Sequence, residues 1–303
     1  MKIIALVITF NRSAVLQKSL TRLLAQQRPF DEILVINNCS TDNTALVLEP
    51  YKNQITPIHL NQNVGGAGAY FIGLKMCFER QADWVFCAED DIVAPKNFAK
   101  NFAQILQQEN TTNTAFFYPR LLSIHNRNQL DGFIYEDPTT QHQSYKNITK
   151  ATFAGLLINA QLAKTIGLPI HSFFIYFDDW EYTQRLRKQW QGLHLPSLYL
   201  WHNDFQRFEG APYLHAPSNR VWKNLYGIRN ELFVLKQSNK TAYLKQLLKH
   251  VFYIPLQILL HRKENPVSVS LKWSLWASKS LFFSAKSVQY DSKEAEAIRD
   301  SYF

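Results

Sequence analysis

Short apolar runs and helix-spaced leucines alternate through the first 110 residues, and few architectures accept that order. Residues 2–9 and 32–37 ("EILVIN") are apolar, rich in β-branched side chains and closed by polar turns, which predicts strands. Between them Leu16, Leu20, Leu23 and Leu24 recur at helical spacing before Pro29. Further strands are expected at 55–60 and 83–88, with helices near 43–52 and 66–81. A chain alternating in this way makes a parallel sheet with covering helices, an α/β fold.

Beyond residue 113 the pattern changes. "NTAFFYP", "LDGFIY" and "FAGLLIN" predict shorter, less regular strands up to about residue 175, and a short strand is expected at "LYLWH". From 217 the chain reads as helices mixing Trp, Phe and Leu with spaced Lys and Arg. At 303 residues about two units are expected, 1–216 and 217–303. Charge supports that division. The net charge is +9, yet residues 217–286 hold 12 Lys/Arg against Glu231 and Glu264, a net of +10, so the remainder sums to −1. An apolar content of 46% excludes disorder. Cys39, Cys77 and Cys87 have no CxxC spacing, which argues for a reducing compartment and against a zinc site. The apolar run Ile3–Phe10 imitates a leader but lacks a small-residue cleavage site, so a buried first strand is expected. No window offers the ~20 apolar residues of a membrane span.

In an open α/β sheet, ligands bind beyond the carboxyl ends of the strands. The expected strands are followed in turn by "TFNR", "NNCSTDNT", "NQNVGGAGAYFIG" and "EDD". These polar loops should converge on one edge. The glycine loop suits close backbone approach to a phosphate at a helix N-terminus, although its spacing is neither a Walker A nor a dinucleotide fingerprint. Carboxylates clustered at Glu89, Asp90 and Asp91 suit a hard divalent cation with oxygen ligands, or else a solvated turn.

The stretch "FFIYFDDWEY", Phe173 to Tyr182, runs aromatics into paired acids. A buried strand ending at a helix is expected. Asp178 as N-cap puts Glu181 third in the helix, an Asp-x-x-Glu capping box flanked by a Phe177–Tyr182 staple, with Arg185 four residues on. Asp179 is left over, at the positive end of the helix dipole, where it should stay ionised and serve as a base. His202, closing "LYLWH", is a structural hydrogen-bonder or an extra ligand to an acidic metal site.

These landmarks in this order resemble the inverting family-2 glycosyltransferases of GT-A fold, over roughly residues 1–230. They are "VITFNR", "EILVINNCSTDNT", "NxNxGGAGA", the DD after the fourth strand, "FFIYFDDWEYTQRLR" and "WH". "GGAGA" and "FDDWEY...RLR" look most like bacterial galactofuranosyltransferases and related rhamnosyltransferases. The resemblance implies a GT-A nucleotide-sugar domain with a mixed sheet, followed by a helical region. It implies that Thr9, Asn37 and Asn38 contact a uracil or thymine base and its ribose. Arg12 lies near the pyrophosphate, Gly65 and Gly66 lie beside the donor, and Asp90 belongs to the same donor site. Asp91, with Glu89 or Asp90, holds Mg²⁺ or Mn²⁺, and His202 completes the metal site. Asp179 is the general base, while Trp180 and Asp178 line the acceptor subsite. Asn37-Asn38 stands where the family usually carries an acid, and Glu89 where it often carries aspartate.

The implied reaction inverts configuration, because the base and the departing diphosphate flank the anomeric carbon. The donor is UDP-galactofuranose or, alternatively, dTDP-rhamnose. The acceptor is a glycan or lipid-linked oligosaccharide of cell-surface polysaccharide such as lipopolysaccharide or capsule. The basic, aromatic helices of 217–286 suit anionic lipid heads, which implies a cytoplasmic enzyme on the inner face of the plasma membrane. Rival readings are a nucleic-acid-binding protein, which leaves the acidic loops without purpose, and a non-catalytic nucleotide-sugar subunit, against which Asp91 and Asp179 speak. A sugar nucleotidyltransferase would carry glycines directly after the first strand, where "TFNR" stands.

Overall fold

In the first strand the side chains divide strictly by parity. Ile4, Leu6 and Ile8 enter one core cluster, while Ile3, Ala5 and Val7 enter another. Successive strand residues point to opposite faces, so a strand covered on both sides needs an unbroken apolar run. That is why "IIALVIT" shows no alternation. The computed structural model describes residues 1–108, 111–124, 145–203 and 212–303. Part of the expected "LDGFIY" strand's neighbourhood, and that strand itself, lie outside the described residues.

The first elements are β1 (Ile3–Thr9), α1 (Ser13–Leu24), β2 (Glu32–Asn37), α2 (Thr44–Leu48), β3 (Thr56–His59), α3 (Gly65–Glu79) and β4 (Trp84–Glu89). Then come β5 (Ile92–Val93), α4 (Phe98–Gln108), β6 (Thr114–Ser123), β7 (Lys146–Asn147), β8 (Leu157–Asn159) and α5 (Ala160–Ile166). After them follow α6 (Asp178–Arg187) and β9 (Gln191–His202). The nine described strands form one mixed sheet of order β3-β2-β1-β4-β8-β6-β9-β5, with β7 on β9. β1 to β4 are mutually parallel, whereas β8 runs antiparallel to β4 and β6. Helix α3 covers one face through Phe71, Leu74 and Phe78. Helices α1 and α4 cover the other through Leu16, Leu20, Phe98 and Phe102.

The described chain forms two compact units, and their boundaries differ from the expected split at 216. Unit 1 comprises Met1–His171, Asp179–Phe205 and Ser287–Phe303; unit 2 comprises Ser172–Asp178 and Gln206–Lys286. The last 17 residues join unit 1 because they satisfy its polar groups and extend its core. The side chain of Lys75, 1% exposed, pairs with Glu79 and donates to the Tyr290 carbonyl. Leu168 N–H donates to the Val288 carbonyl, and Val288 and Ala295 (in α12, Lys293–Asp300) are buried in the core.

Unit 2 carries α7 (Pro212–His215), α8 (Val221–Ser238), α9 (Lys240–Leu248), α10 (Ile254–His261) and α11 (Pro266–Lys279). Its core is Val221, Leu225, Ile228, Leu232, Ile258 and Trp273 with their neighbours. The expected strand before Asp178 is absent. A short 3-10 turn, His171–Phe173, is followed by Phe174, Tyr176 and Phe177 at φ of 64°, 65° and 67°. Left-handed backbone at an aromatic residue costs about 1–3 kcal/mol and persists only where surroundings impose it. Here α8 imposes it. The buried Asn230 side-chain amide donates to the carbonyls of Phe173 (3.0 Å), Ile175 (3.0 Å) and Tyr176 (2.9 Å). Arg229 adds bonds to Ser172 and Phe173 carbonyls and lies 4.0 Å over the Phe283 ring. Replacing Asn230 by leucine strands the carbonyls of Ile175 and Tyr176, since that of Phe173 keeps Arg229 and the Ile175 N–H, and each buried unsatisfied acceptor costs ~1–3 kcal/mol. The variant is expected to lose about 2 kcal/mol or more in urea unfolding. An unchanged midpoint would contradict this role for Asn230.

Candidate active site

Strand register assembles the site. Thr9 stands level with Asn37 across β1 and β2, and Asn37 with His59 across β2 and β3. Ile8 is level with Glu89 in β4, so the residues that follow, Thr9 and Asp90, meet at 2.9 Å through the Thr9 hydroxyl. On the far side β5 runs antiparallel to β9 with Ile92 opposite His202, which brings His202 beside Asp91. One potential ligand atom from each of Glu89, Asp91 and His202 lies within 4.8 Å of the other two. Residues 113 positions apart in sequence meet here.

Arg12, at the start of α1, reaches back into this cluster. Its NH1 lies 3.1 Å from Asp90 Oδ1 and 3.0 Å from Asp91 Oδ2. Asp90 and Asp91 are buried, while Glu89 and Asp179 keep a solvent-facing edge. Desolvation, then the neighbouring Asp91, Asp90 and Asp179 charges, push Glu89 up to about 8. Burial likewise raises Asp90 to about 7 against the pull of Arg12 and Thr9. Asp91 Oδ1 is buried without a hydrogen-bond partner and faces His202 Nε2 at 3.7 Å. A buried oxygen left without a donor, beside a carboxylate and an imidazole, fits a hard divalent cation of mixed O/N ligation.

The asparagines do structural work as well as line the edge. Asn37 meets His59 Nδ1 at 3.0 Å and accepts from the Ser40 N–H. Asn38 accepts from Val64 N–H (2.9 Å) and donates to the Gly65 carbonyl (3.1 Å) and to Asn63. Asn63 in turn accepts from Gly65 N–H, at a residue with φ of 70°. The glycine loop is thereby pinned to β2, and α3 starts at Gly65, one residue before the expected start. A Cβ at Gly66 would meet nothing within 4 Å, so open space lies against the first turn of a 15-residue helix, a setting that favours an anion. Sequence reading passed over Asn63 and Asn11. Asn63 has a signal, an Asx residue two before a glycine turn. Asn11, whose Oδ1 accepts from Thr41 N–H, joins the first two loops and has no such signature.

Asp179 behaves differently from expectation. The helix starts at Asp178, and Glu181 does not reach back to it. Both Glu181 oxygens bind Arg185, at 2.8 and 3.0 Å, and Arg185 also holds the carbonyls of Ile166 and Leu168. The capping box is therefore replaced by the i,i+4 pair. Asp179, within the first turn, bonds its own neighbour, its Oδ1 accepting from Trp180 N–H at 2.7 Å. Nor does the dipole keep it fully ionised. Burial outweighs the hydrogen bonds from Trp180, its own N–H and Phe153, and the carboxyl rises to about 7. Trp180 packs under Lys150, whose Nζ is 3.6 Å from the ring centroid. Asp178 is buried at the same helix start.

The sign of the pH dependence follows. These acids bind protons more tightly folded than unfolded, between their ordinary range near 4 and about 7–8. The folded state then gains protons relative to the unfolded state in that window, so metal-free stability falls as pH rises through it. In EDTA the melting temperature should drop between pH 5 and pH 8. Mn²⁺ should restore more of it at pH 8 than at pH 5. Equal Mn²⁺ shifts at both pH values would argue against a cation among these acids.

Comparison with known proteins gives the fold and the family. GlfT1 galactofuranosyltransferases are similar over 80% of this chain and 85% of their own length, at 27% identity in Mycobacterium tuberculosis and 24% in Mycolicibacterium smegmatis. Among solved structures, Staphylococcus aureus TarS 1-349 in complex with UDP aligns at TM-score 0.54 and 15% identity, covering 99% of this chain and 91% of that one. GalNAc-T7 with UDP, GalNAc and Mn²⁺ aligns at TM-score 0.61 and 13% identity, and this chain spans 58% of its length. The chain spans half of a longer TarS structure. The expected GT-A fold is borne out. The family model described as glycosyl transferase family 2 matches residues 4–181, more than half the chain, and the protein belongs to that family of glycosyltransferases.

Proposed function

We propose that this glycosyltransferase moves galactofuranose from UDP-galactofuranose, with inversion, to a hydroxyl of a glycan or lipid-linked acceptor in cell-surface polysaccharide assembly. The observation that carries the chemistry is the meeting of Glu89, Asp91 and His202 within 4.8 Å beside a buried, partnerless Asp91 oxygen. The similarity to the GlfT1 galactofuranosyltransferases over 80% of the chain supports galactofuranose as the donor sugar.

Asp91, Glu89 and His202 would hold Mg²⁺ or Mn²⁺. Once bound, such an ion neutralises the charge that builds on the departing diphosphate. Thr9, Asn37 and Asn38 form the nucleoside side of the site. Gly65 and Gly66 let the donor approach the first turn of α3, and Arg12 trades one carboxylate contact for the diphosphate while Asp90 anchors the donor loop. Asp179 takes the acceptor proton. An acid whose affinity for a proton is raised to about 7 is poised for that transfer near neutral pH. The freed oxygen attacks the anomeric carbon from the face opposite the diphosphate, so one C–O bond forms as another breaks and configuration inverts. Trp180 and Asp178 steer the acceptor. The basic segment 217–286 belongs to the same proposal, holding the enzyme at the inner face of the plasma membrane where a lipid-linked acceptor lies. No described helix is long and apolar enough to cross a membrane.

The test is acceptor-dependent release of the nucleoside diphosphate, UDP from UDP-galactofuranose and UDP-GlcNAc and dTDP from dTDP-rhamnose, with Mn²⁺ and then EDTA. UDP-galactofuranose should be used best, EDTA should abolish turnover, and Asp179→Asn should lower kcat by about 10²–10⁴-fold with little change in donor KM. Preference for dTDP-rhamnose would overturn the donor, and an active Asp179→Asn would overturn the base.

A further inference from the structure

Helices α9 to α11 of unit 2 leave an unusual set of apolar side chains in the open. Leu244, Leu248, Phe252, Leu256 and Leu260 are all exposed, from 51% at Leu256 to 68% at Phe252, and recur every four residues. In a plain α-helix that spacing drifts by about 40° per step. A π-helical turn at Lys249–Tyr253 joins α9 to α10. Its wider turn takes back part of the drift and keeps the row on one side. Val267, Leu271 and Leu275 make a second exposed row on α11 at the same spacing.

Both rows face the same way. Ser270 Oγ donates to the Pro255 carbonyl (3.1 Å), and Ser274 Oγ to that of Val251 (3.1 Å). The higher number on one helix pairs with the lower on the other, so α10 and α11 are antiparallel. Phe252 and Leu256 follow Val251 and Pro255 by one residue, and Leu271 and Leu275 follow Ser270 and Ser274 by one. One residue is a rotation of about 100° from the contact direction. Antiparallel helices rotate in opposite senses seen from one end, and starting from facing directions they turn both rows to a common side. One residue further, Lys249 and Lys272 stand at the two outer margins, both exposed. None of the three helices contains Asp or Glu. The first row spans 16 residues, ~24 Å, and the second lies ~8–10 Å from it. Such a face approaches the largest patch, ~300–600 Å², of an ordinary soluble monomer.

We infer that this two-row face is a monotopic membrane surface. Its leucines and Phe252 enter the acyl boundary of a bilayer, while the marginal lysines meet anionic headgroups. Charge selects this occupant, because a second copy laid against the face would oppose lysine to lysine. An apolar centre with cationic margins and no acid is what an interfacial helix pair presents to lipid. The inference deepens the membrane part of the proposed function, replacing a merely electrostatic contact by insertion of named side chains.

The experiment is co-sedimentation of the full chain with phosphatidylcholine vesicles containing 30% phosphatidylglycerol, at low and high salt, beside light scattering without vesicles. The wild type should bind and retain part of its binding at high salt. A Leu256→Glu, Leu271→Glu double variant, checked for an unchanged melting temperature, should bind at least ten-fold more weakly. Lys249→Glu with Lys272→Glu should lose only the salt-sensitive part. Full binding by the leucine variant, or a wild type that ignores vesicles, overturns the inference. So does a wild-type dimer that the leucine variant dissolves. None of these readouts needs turnover. Vesicle binding by a protein inactive on every donor would fail the glycosyl-transfer reading alone.

Discussion

Like charges that share a buried pocket repel, and that constraint shapes the whole edge of this sheet. Two carboxylates 4.8 Å apart repel by roughly 3–4 kcal/mol at an effective dielectric of 20. Glu89, Asp90, Asp91 and Asp179 influence one another here. Arg12 supplies one positive charge to two of them. Protons or a divalent cation must offset the rest. The raised proton affinities of Glu89, Asp90 and Asp179 are the metal-free form of that compensation. The fold tolerates the arrangement because register, not side-chain attraction, fixes it. β1 and β4 are hydrogen-bonded along six residue pairs, and β5 is tied to β9 opposite His202. Backbone ladders hold the acids where the acids alone would not stay.

The loops at this edge are joined by amides rather than by charges. Asn11, Asn37, Asn38 and Asn63 link the turns after β1, β2 and β3 through backbone groups. Amides donate and accept at once without adding to the local negative charge, so they can stiffen an acidic site that further carboxylates would destabilise. The Asn37-Asn38 pair fits that need.

Much of this was legible in the sequence, for identifiable reasons. A strand buried on both faces must be apolar throughout, so β1, β2 and β4 announce themselves. Parallel strands must end on one edge, so the polar loops that close them were bound to meet. The "DD" and "WH" landmarks then pointed to Asp91 and His202. What escaped was set by partners distant in sequence. Phe173 to Phe177 has the composition of a strand, yet Asn230, more than 50 residues on, holds it in a left-handed path. No local periodicity encodes that. The Glu181–Arg185 pair, by contrast, was legible as a four-residue spacing, and only its displacement of the capping box was not. The assignment of residues 287–303 to unit 1 depends on a buried lysine, Lys75, whose partners lie both four and 215 residues away.

As proposed, Glu89, Asp91 and His202 form one divalent-cation site that serves a nucleotide diphosphate. Mn²⁺ binding followed by electron paramagnetic resonance at pH 8, with and without UDP, tests it most directly. One site per chain is expected, tightened by UDP, and weakened at least ten-fold in Asp91→Asn and measurably in His202→Gln. Equal Mn²⁺ affinity in wild type and Asp91→Asn would contradict it, and the acids of this edge would then be held together by protons and Arg12 alone.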